Sequence, residues 1–403
     1  MRRLSRNLPP TSGIIKGSRA MTNSPTALAG VTLHSTEAFS ARRMGRYILV
    51  ELLAPHRVLS TSAHCGGQRE DIRFLANHQS CEAQGDTERQ VRIASLGLVE
   101  YHREVCREIA VDPDHTALMG TAANMAYACH RWAEFEGLRA DALVTAGVSG
   151  NAARAGDPAQ WNETDRGWRN VSPYAGTINT ILVLSCPLTQ AAQARAVITM
   201  TEAKSAALAE LAVPSLYSPT IATGTGTDQF CLAVPLDSRR MSMTSTSPHV
   251  KLGEIIGVSV KNAVRDALRW QNGLEPSYTR SLFHALGRFG LTEARALEAL
   301  AQLLPQQQFD LLQKNLKSVF YEPGVAAAAY AFAAVLDRVA FGTVASGMAT
   351  TTLRQQAACL ASALAAKPQD WQVFYGGLTL PPDVDHVELV LKAIALGWGA
   401  KWT

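Results

Sequence analysis

Cysteine is sparse and scattered in this chain. Seven residues, at positions 65, 81, 106, 129, 186, 231 and 359, contain no Cys-x-x-Cys pair. An odd number of dispersed thiols excludes a disulfide framework and fits a reducing cytoplasm. A His-Glu-x-x-His helix is missing too, so the sequence lends zinc no support and no metal is expected. There is no phosphate-binding loop, because Lys204-Ser205 lacks the preceding glycines, and Gly224-x-Gly226 lacks the third glycine of a dinucleotide fingerprint. Gly147-Val-Ser149-Gly150 is one spacer short of a nucleophile elbow. No apolar run reaches the ~20 residues of a membrane span. The longest stops at Asp337 and Arg338 and reads as a buried helix, so no membrane is expected. The N-terminus has arginines but no apolar core of a secretory signal.

The net charge of +4 is misleading. Arg2, Arg3, Arg6, Lys16 and Arg19 all precede the first acidic residue, Glu37; of 38 basic residues this leaves 33 against 34 acidic ones. The body is neutral, which argues against a nucleic-acid partner.

A length of 403 residues suggests two or three domains. Residues 1–27, low in apolar content and broken by Pro9, Pro10 and Pro25, read as a basic disordered tail. Residues 28–273 alternate strand and helix signals, which indicates an α/β or α+β layered domain with a mixed sheet. Within it, 47–53 and 57–60 flank Pro55 like a hairpin, and 116–137 shows Ala, Met and Trp at helical spacing. Residues 150–176 make a long polar loop. The run 178–185 is a buried strand, Thr189 caps a helix running to residue 211, 229–236 is another strand, and 251–270 is a helix. Residues 274–403 read as an all-α C-terminal region of no evident role, and self-association is left open.

Five groups carry the candidate chemistry. Gly224-Thr-Gly-Thr-Asp228 alternates glycine and threonine before a strand. It is either a nest of N–H groups around Thr225 and Thr227 with Asp228 orienting a partner, or a tight turn with a local Asp cap. Asn179 opens a buried strand, so its amide must be hydrogen-bonded, either to a neighbouring loop or to a substrate. Lys204 is preferred over Glu202 on the 189–211 helix; the alternative is a solvated lysine. His249 precedes a helix and is the natural proton shuttle, with Glu254 five residues on to orient it; the alternative is a solvent-exposed helix start. Asn151 lies in a glycine-rich strand-to-loop transition. His64 and Cys65 are adjacent, and on an extended chain they point to opposite faces, so no dyad is expected there.

Taken in order, Arg57-Val-Leu-Ser60 with Gly66-Gly67 and Asn77, Thr121-Ala-Ala123, Thr145-Ala-Gly147 with Asn151, Gly176-Thr-Ile-Asn179, Thr201-Glu-Ala-Lys204, Ala222-Thr-Gly-Thr-Gly-Thr-Asp228 and Lys251-Leu-Gly-Glu254 resemble the adenosylcobinamide amidohydrolase family over roughly residues 30–270. The resemblance implies hydrolysis of the amide joining aminopropanol to the corrin ring. The products are adenosylcobyric acid and the amino alcohol, as in cobamide salvage and remodelling. The corrinoid is then substrate, and no cofactor is required. On this expectation His249 acts as general base and acid with Glu254 or Asp228, amides at 225–227 stabilise the oxyanion, and Asn179, Lys204 and Asn151 hold the substrate; Thr227 as covalent nucleophile is a variant. No Asp-x-His-x-x-Gly supports a histidine ligand to the corrinoid cobalt. A corrinoid carrier or sensor without hydrolysis is the alternative, and a ligase is disfavoured by the missing phosphate loop. Gly150 is an insertion relative to the expected pattern, and 274–403 lies outside the resemblance.

Overall fold

In the computed structural model, residues 30–82, 86–159, 161–164, 167–170, 176–379 and 385–402 are described. The expected tail 1–27 lies outside them. Two sheets form the N-terminal half. The first has the order Val31–Ser35, Phe39–Met44, Tyr47–Leu52, Phe74–Gln79, Thr116–Thr121, antiparallel except for its last pair. The second has the order Gly67–Arg69, His56–Ser60, Gln229–Pro235, Thr177–Leu184, Leu138–Gly147, Cys129–Phe135, with its two central strands parallel.

The sheets pack face to face. Ile48, Val50, Leu75 and Met119 of the first meet Leu143, Ile181, Val183 and Cys231 of the second. Helix Thr87–Glu108 covers the outer face of the first sheet through Tyr101 and Val105. Helices Gln190–Glu210 and Lys251–Asn272 cover the outer face of the second. The result is a helix–sheet–sheet–helix sandwich with mixed sheets, the layered architecture expected. Thr177–Leu184 is wholly apolar along 181–184 because both of its faces are buried: Ile178, Leu182 and Leu184 meet the helices while Ile181 and Val183 meet the other sheet.

The strands 177–184 and 229–235 and the helix capped by Thr189 are as anticipated, the Thr189 hydroxyl accepting from the Ala192 N–H. Three local readings are corrected. The runs flanking Pro55 are not a hairpin: Tyr47–Leu52 belongs to the first sheet and His56–Ser60 to the second. The segment read as helical over 116–137 is instead two strands and a short helical turn, Met125–Tyr127. Its second strand turns back through Glu136 and Gly137, both at positive φ (46° and 81°), the two-residue hairpin geometry. Glu-Gly is a weaker turn signal than Asn-Gly, which is why helical spacing dominated the reading. The polar stretch 150–176 also carries structure: Ala152–Ala153 pairs with Gly224–Thr225, and Trp161–Thr164 pairs with Gly167–Asn170.

After Gly273, a left-handed helix cap (φ 64°), the chain is helical with its own apolar core around Phe320, Phe332, Leu353, Leu391 and Trp398. Helix Pro323–Ala340 is long and apolar enough to cross a membrane by length and composition. Its Val325, Ala329, Phe332 and Leu336 pack into that core, and its Asp337 takes a two-pronged ion pair from Arg288 at 2.6 and 2.7 Å. Arg288 also donates to the Pro219 carbonyl (2.6 Å), tying the helical region to the sandwich.

Candidate active site

One end of the sandwich gathers the strand starts at Thr177 and Gln229, the strand ends at Thr121 and Gly147, and the turn after Ser60. Two cavities open there. The larger, about 320 Å³, is lined by His64, Tyr101, His102, Thr121, Thr177 and Thr227, with Leu98 at one wall. The smaller, about 200 Å³, lies on the helix side of the second sheet beside Thr180, Met200, Lys204 and Asp228. Gln229 borders both, and its side-chain oxygen accepts from the Gly120 N–H at 3.0 Å.

Asp228 is the fixing post of the 224–228 loop. Its carboxylate accepts from the Ile178 N–H (2.9 Å), the Thr225 N–H (3.0 Å), the Thr225 hydroxyl (2.6 Å) and the Lys204 ammonium (2.5 Å). Lys204 and Asp228 are both largely buried. A Cβ at Gly224 would stand 2.5 Å from the Asp228 carboxylate, so that glycine is demanded by this junction. The loop amides are used internally: Thr225 N–H by Asp228, Gly226 N–H by the Asn151 carbonyl and Thr227 N–H by the Thr225 hydroxyl. The expected nest of open amides is therefore replaced by a closed turn that presents the Thr227 side chain. The Thr227 hydroxyl donates to the Gly176 carbonyl (2.6 Å) and accepts from the Asn151 amide (3.3 Å). Asn151 is buried behind it, also held by the Tyr217 hydroxyl at 3.0 Å.

Asn179 lies fully buried between the sheets. Its amide donates to the Asn77 side-chain oxygen (2.9 Å) and the Gly120 carbonyl (3.0 Å), while Asn77 donates onward to the Thr145 hydroxyl at 2.7 Å. Of its two sequence readings, the geometry matches the structural tie. Asn179→Ala takes a donor from the Asn77 side-chain oxygen and from the Gly120 carbonyl in an apolar interface. It is expected to cost about 1–3 kcal/mol of stability, measured by urea unfolding; an unchanged midpoint would refute this tie.

The structure brings Asp228, Thr225, Thr227, Lys204, Asn151 and Asn179 together at this end and leaves His249 and Glu254 elsewhere. His249 is exposed and lines neither cavity. Glu254 pairs with Lys251 at 2.8 Å, both about half exposed. Helix Lys251–Asn272 reaches the cavity end through Asn272, which accepts from the Val148 N–H. At 1.5 Å per residue, Glu254 stands about 27 Å back along that helix.

Of the imidazoles that do reach the larger cavity, the sequence reading weighs His64 only as half of a dyad with Cys65 and sets it aside, and it passes over His102. The His64 ring nitrogen Nε2 lies 3.2 Å from the Asp114 carboxylate, and its ring meets that of His102 edge-on at 4.8 Å. Burial lowers the pKa of His102, whose Nε2 bonds the Pro113 carbonyl at 2.9 Å. The available signal for His64 was its place between a family-like strand and Gly66-Gly67.

Hydroxyls, imidazoles and a side-chain amide converge from five chain segments on one cavity of a layered α/β domain, an arrangement able to hold a small molecule. The chain belongs to the adenosylcobinamide amidohydrolase family, whose model matches residues 31–276. It is thus a hydrolase acting on an amide, with a corrinoid as the substrate class of its family. It is similar to an uncharacterized protein of Methanocaldococcus jannaschii, 31% identical over 251 residues that cover 60% of this chain and 93% of that one. A crystal structure of a protein from Pyrococcus horikoshii OT3 aligns over 59% of this chain and 82% of that chain, at 15% identity and a TM-score of 0.26, too low to bear on the fold.

Proposed function

We propose that the chain hydrolyses the amide linking aminopropanol to the corrin ring of adenosylcobinamide, or of a related cobamide, releasing adenosylcobyric acid and the amino alcohol. The observation that carries this reading is convergence. Gly120, Thr121, Gly176, Thr177, Thr227, Gln229 and His64, which adjoin or belong to the family-like words, line one cavity although they are far apart in sequence. The cavity accepts an amide-bearing arm and is too small for a macrocycle. The corrin face then rests at the mouth, where Ile93 and Leu98 form an apolar wall and Val91, Leu96 and Val99 stand exposed beside it. A corrin offers a broad apolar face with polar amides at its rim, which such a mouth complements.

In this reading Thr227 and Gln229 hold the arm, and His64, fixed by Asp114, is placed to direct water at the amide carbon. Asp228 and Lys204 keep the Thr227 loop in place. The reaction serves corrinoid salvage or remodelling in the cytoplasm, where the scattered thiols remain reduced.

A mass-spectrometric assay of the purified protein with adenosylcobinamide tests the proposal. Release of aminopropanol and adenosylcobyric acid is expected. Corrinoid bound without product would favour a carrier, and no binding would sink the reading. Leu98→Asp, at an exposed position, is expected to raise KM ~10-fold with kcat little changed, as loss of uniform binding does. An unaltered KM would remove this wall from the site.

A further inference from the structure

The turn after strand His56–Ser60 brings together two side chains that an extended chain would keep apart. Cys65 adopts φ 58°, in the left-handed region, and the following Gly66 has no room for a Cβ, which would sit 1.9 Å from the Ser62 carbonyl oxygen. The chain doubles back at this point. His64 and Cys65 therefore both face the short helical turn Pro113–His115, where His64 Nε2 is 3.2 Å from an Asp114 carboxylate oxygen and Cys65 Sγ is 3.4 Å from the Asp114 carbonyl oxygen. One ligand atom from each of His64, Cys65 and Asp114 lies within 4.8 Å of the others.

We infer that His64, Cys65 and Asp114 form a binding site for a divalent transition-metal ion of the zinc class; of the three, His64 also lines the larger cavity. The donor set is one imidazole nitrogen, one thiolate and one carboxylate. Sulfur and nitrogen donors select zinc-like ions over calcium and magnesium, and three protein ligands leave a fourth position for water or substrate. The ligand-to-ligand edges of a tetrahedral zinc site are about 3.3–3.8 Å, as its bond lengths require. The His64–Asp114 separation of 3.2 Å is already close to this, and side-chain rotation of about 1 Å closes the rest. On binding, the Cys65 S–H bond breaks and its proton leaves to solvent, the His64 proton shared with Asp114 moves from Nε2 to Nδ1, and the sulfur–metal and nitrogen–metal bonds form.

A second cluster, His34, His130 and Asp141, has similar spacing. There the Arg139 guanidinium takes both Asp141 oxygens at 2.8 Å each, which places a cation where the ion would go. At the first cluster the nearby Arg69 is paired with Asp71 instead and reaches only the Asp114 backbone carbonyl. The site runs against the expectation of a metal-free protein. A catalytic use for the ion, polarising the amide carbonyl or activating water, rests on the proposed hydrolysis; the binding itself does not.

The test is titration of metal-stripped full-length protein with Co²⁺ under reducing conditions, read by absorption. One equivalent is expected to give a thiolate-to-cobalt charge-transfer band and tetrahedral d–d bands, both abolished by excess Zn²⁺. Cys65→Ser should remove the charge-transfer band. Asp114→Ala should weaken binding by about 10-fold or more, since even the partners behind a ligand are worth that much. His34→Ala should change nothing. Absence of the bands in the unmodified protein, or survival of the charge-transfer band in Cys65→Ser, would overturn the site. Aminopropanol release is assayed on the same preparations. Cobalt binding without release would sink only the hydrolysis, and release without cobalt binding only the metal site.

Discussion

His64→Ala is expected to lower turnover of adenosylcobinamide about 100-fold or more, the usual loss when the group that directs water is removed. His249→Ala is expected to leave turnover within about twofold, where loss of the same role would cost as much as at His64. Sequence reasoning alone would rank these two histidines the other way. The ranking is reversed by position. His64 lines the cavity that holds Thr177 and Thr227 and is oriented by Asp114, whereas His249 is exposed at the distant end of the helix that closes the sandwich. Glu254, paired with a half-exposed Lys251, is likewise expected to be dispensable, because surface pairs are worth about 0–1 kcal/mol. Steady-state kinetics of the two histidine variants decide the matter. A large loss in His249→Ala with near-normal His64→Ala would overturn the assignment.

The second large effect is expected at Asp228. Its carboxylate joins three elements: the 224–228 loop through Thr225, strand Thr177–Leu184 through the Ile178 N–H, and helix Gln190–Glu210 through Lys204. Asp228→Ala strands a largely buried ammonium and two N–H groups. Removing one partner of a buried pair costs about 3–5 kcal/mol, because the other charge is left uncompensated. Urea unfolding should show that loss, and the released loop should no longer present Thr227, so activity falls with stability. Lys204→Met is expected to cost less, since the carboxylate keeps its three remaining donors. Equal losses in the two variants would mean that the ion pair, and not the loop anchor, is what Asp228 supplies.

Much of the architecture was readable in one dimension. The strand 177–184 is bounded by Gly176 and Pro187, with an apolar stretch too short for a helix. The helix after it begins at a threonine whose hydroxyl caps it, and helix Lys251–Asn272 repeats its apolar residues at three- and four-residue steps until Gly273. The helical character of the C-terminal region follows from its Ala- and Leu-rich segments between prolines. The ordered words that mark the family are local as well. Helix Thr87–Glu108 escaped notice because Gly97, at φ 72° and ψ 162°, breaks it and its apolar residues stand partly exposed.

What the sequence by itself determined is the set of elements and the family, because turns, caps and apolar periods are written in neighbouring residues. Tertiary structure alone decided which strands share a sheet, and so sent 47–52 and 56–60 to opposite layers. It alone turned the carboxylate of Asp228 into a closed junction and hid Asn179 between the sheets. It also gathered His64, Cys65 and Asp114 at one corner, through a left-handed turn at a cysteine that only the glycines after it announce. The physical reason is common to all of these. A side chain's role depends on the partners that come within about 3–4 Å of it, and here those partners lie tens of residues away along the chain.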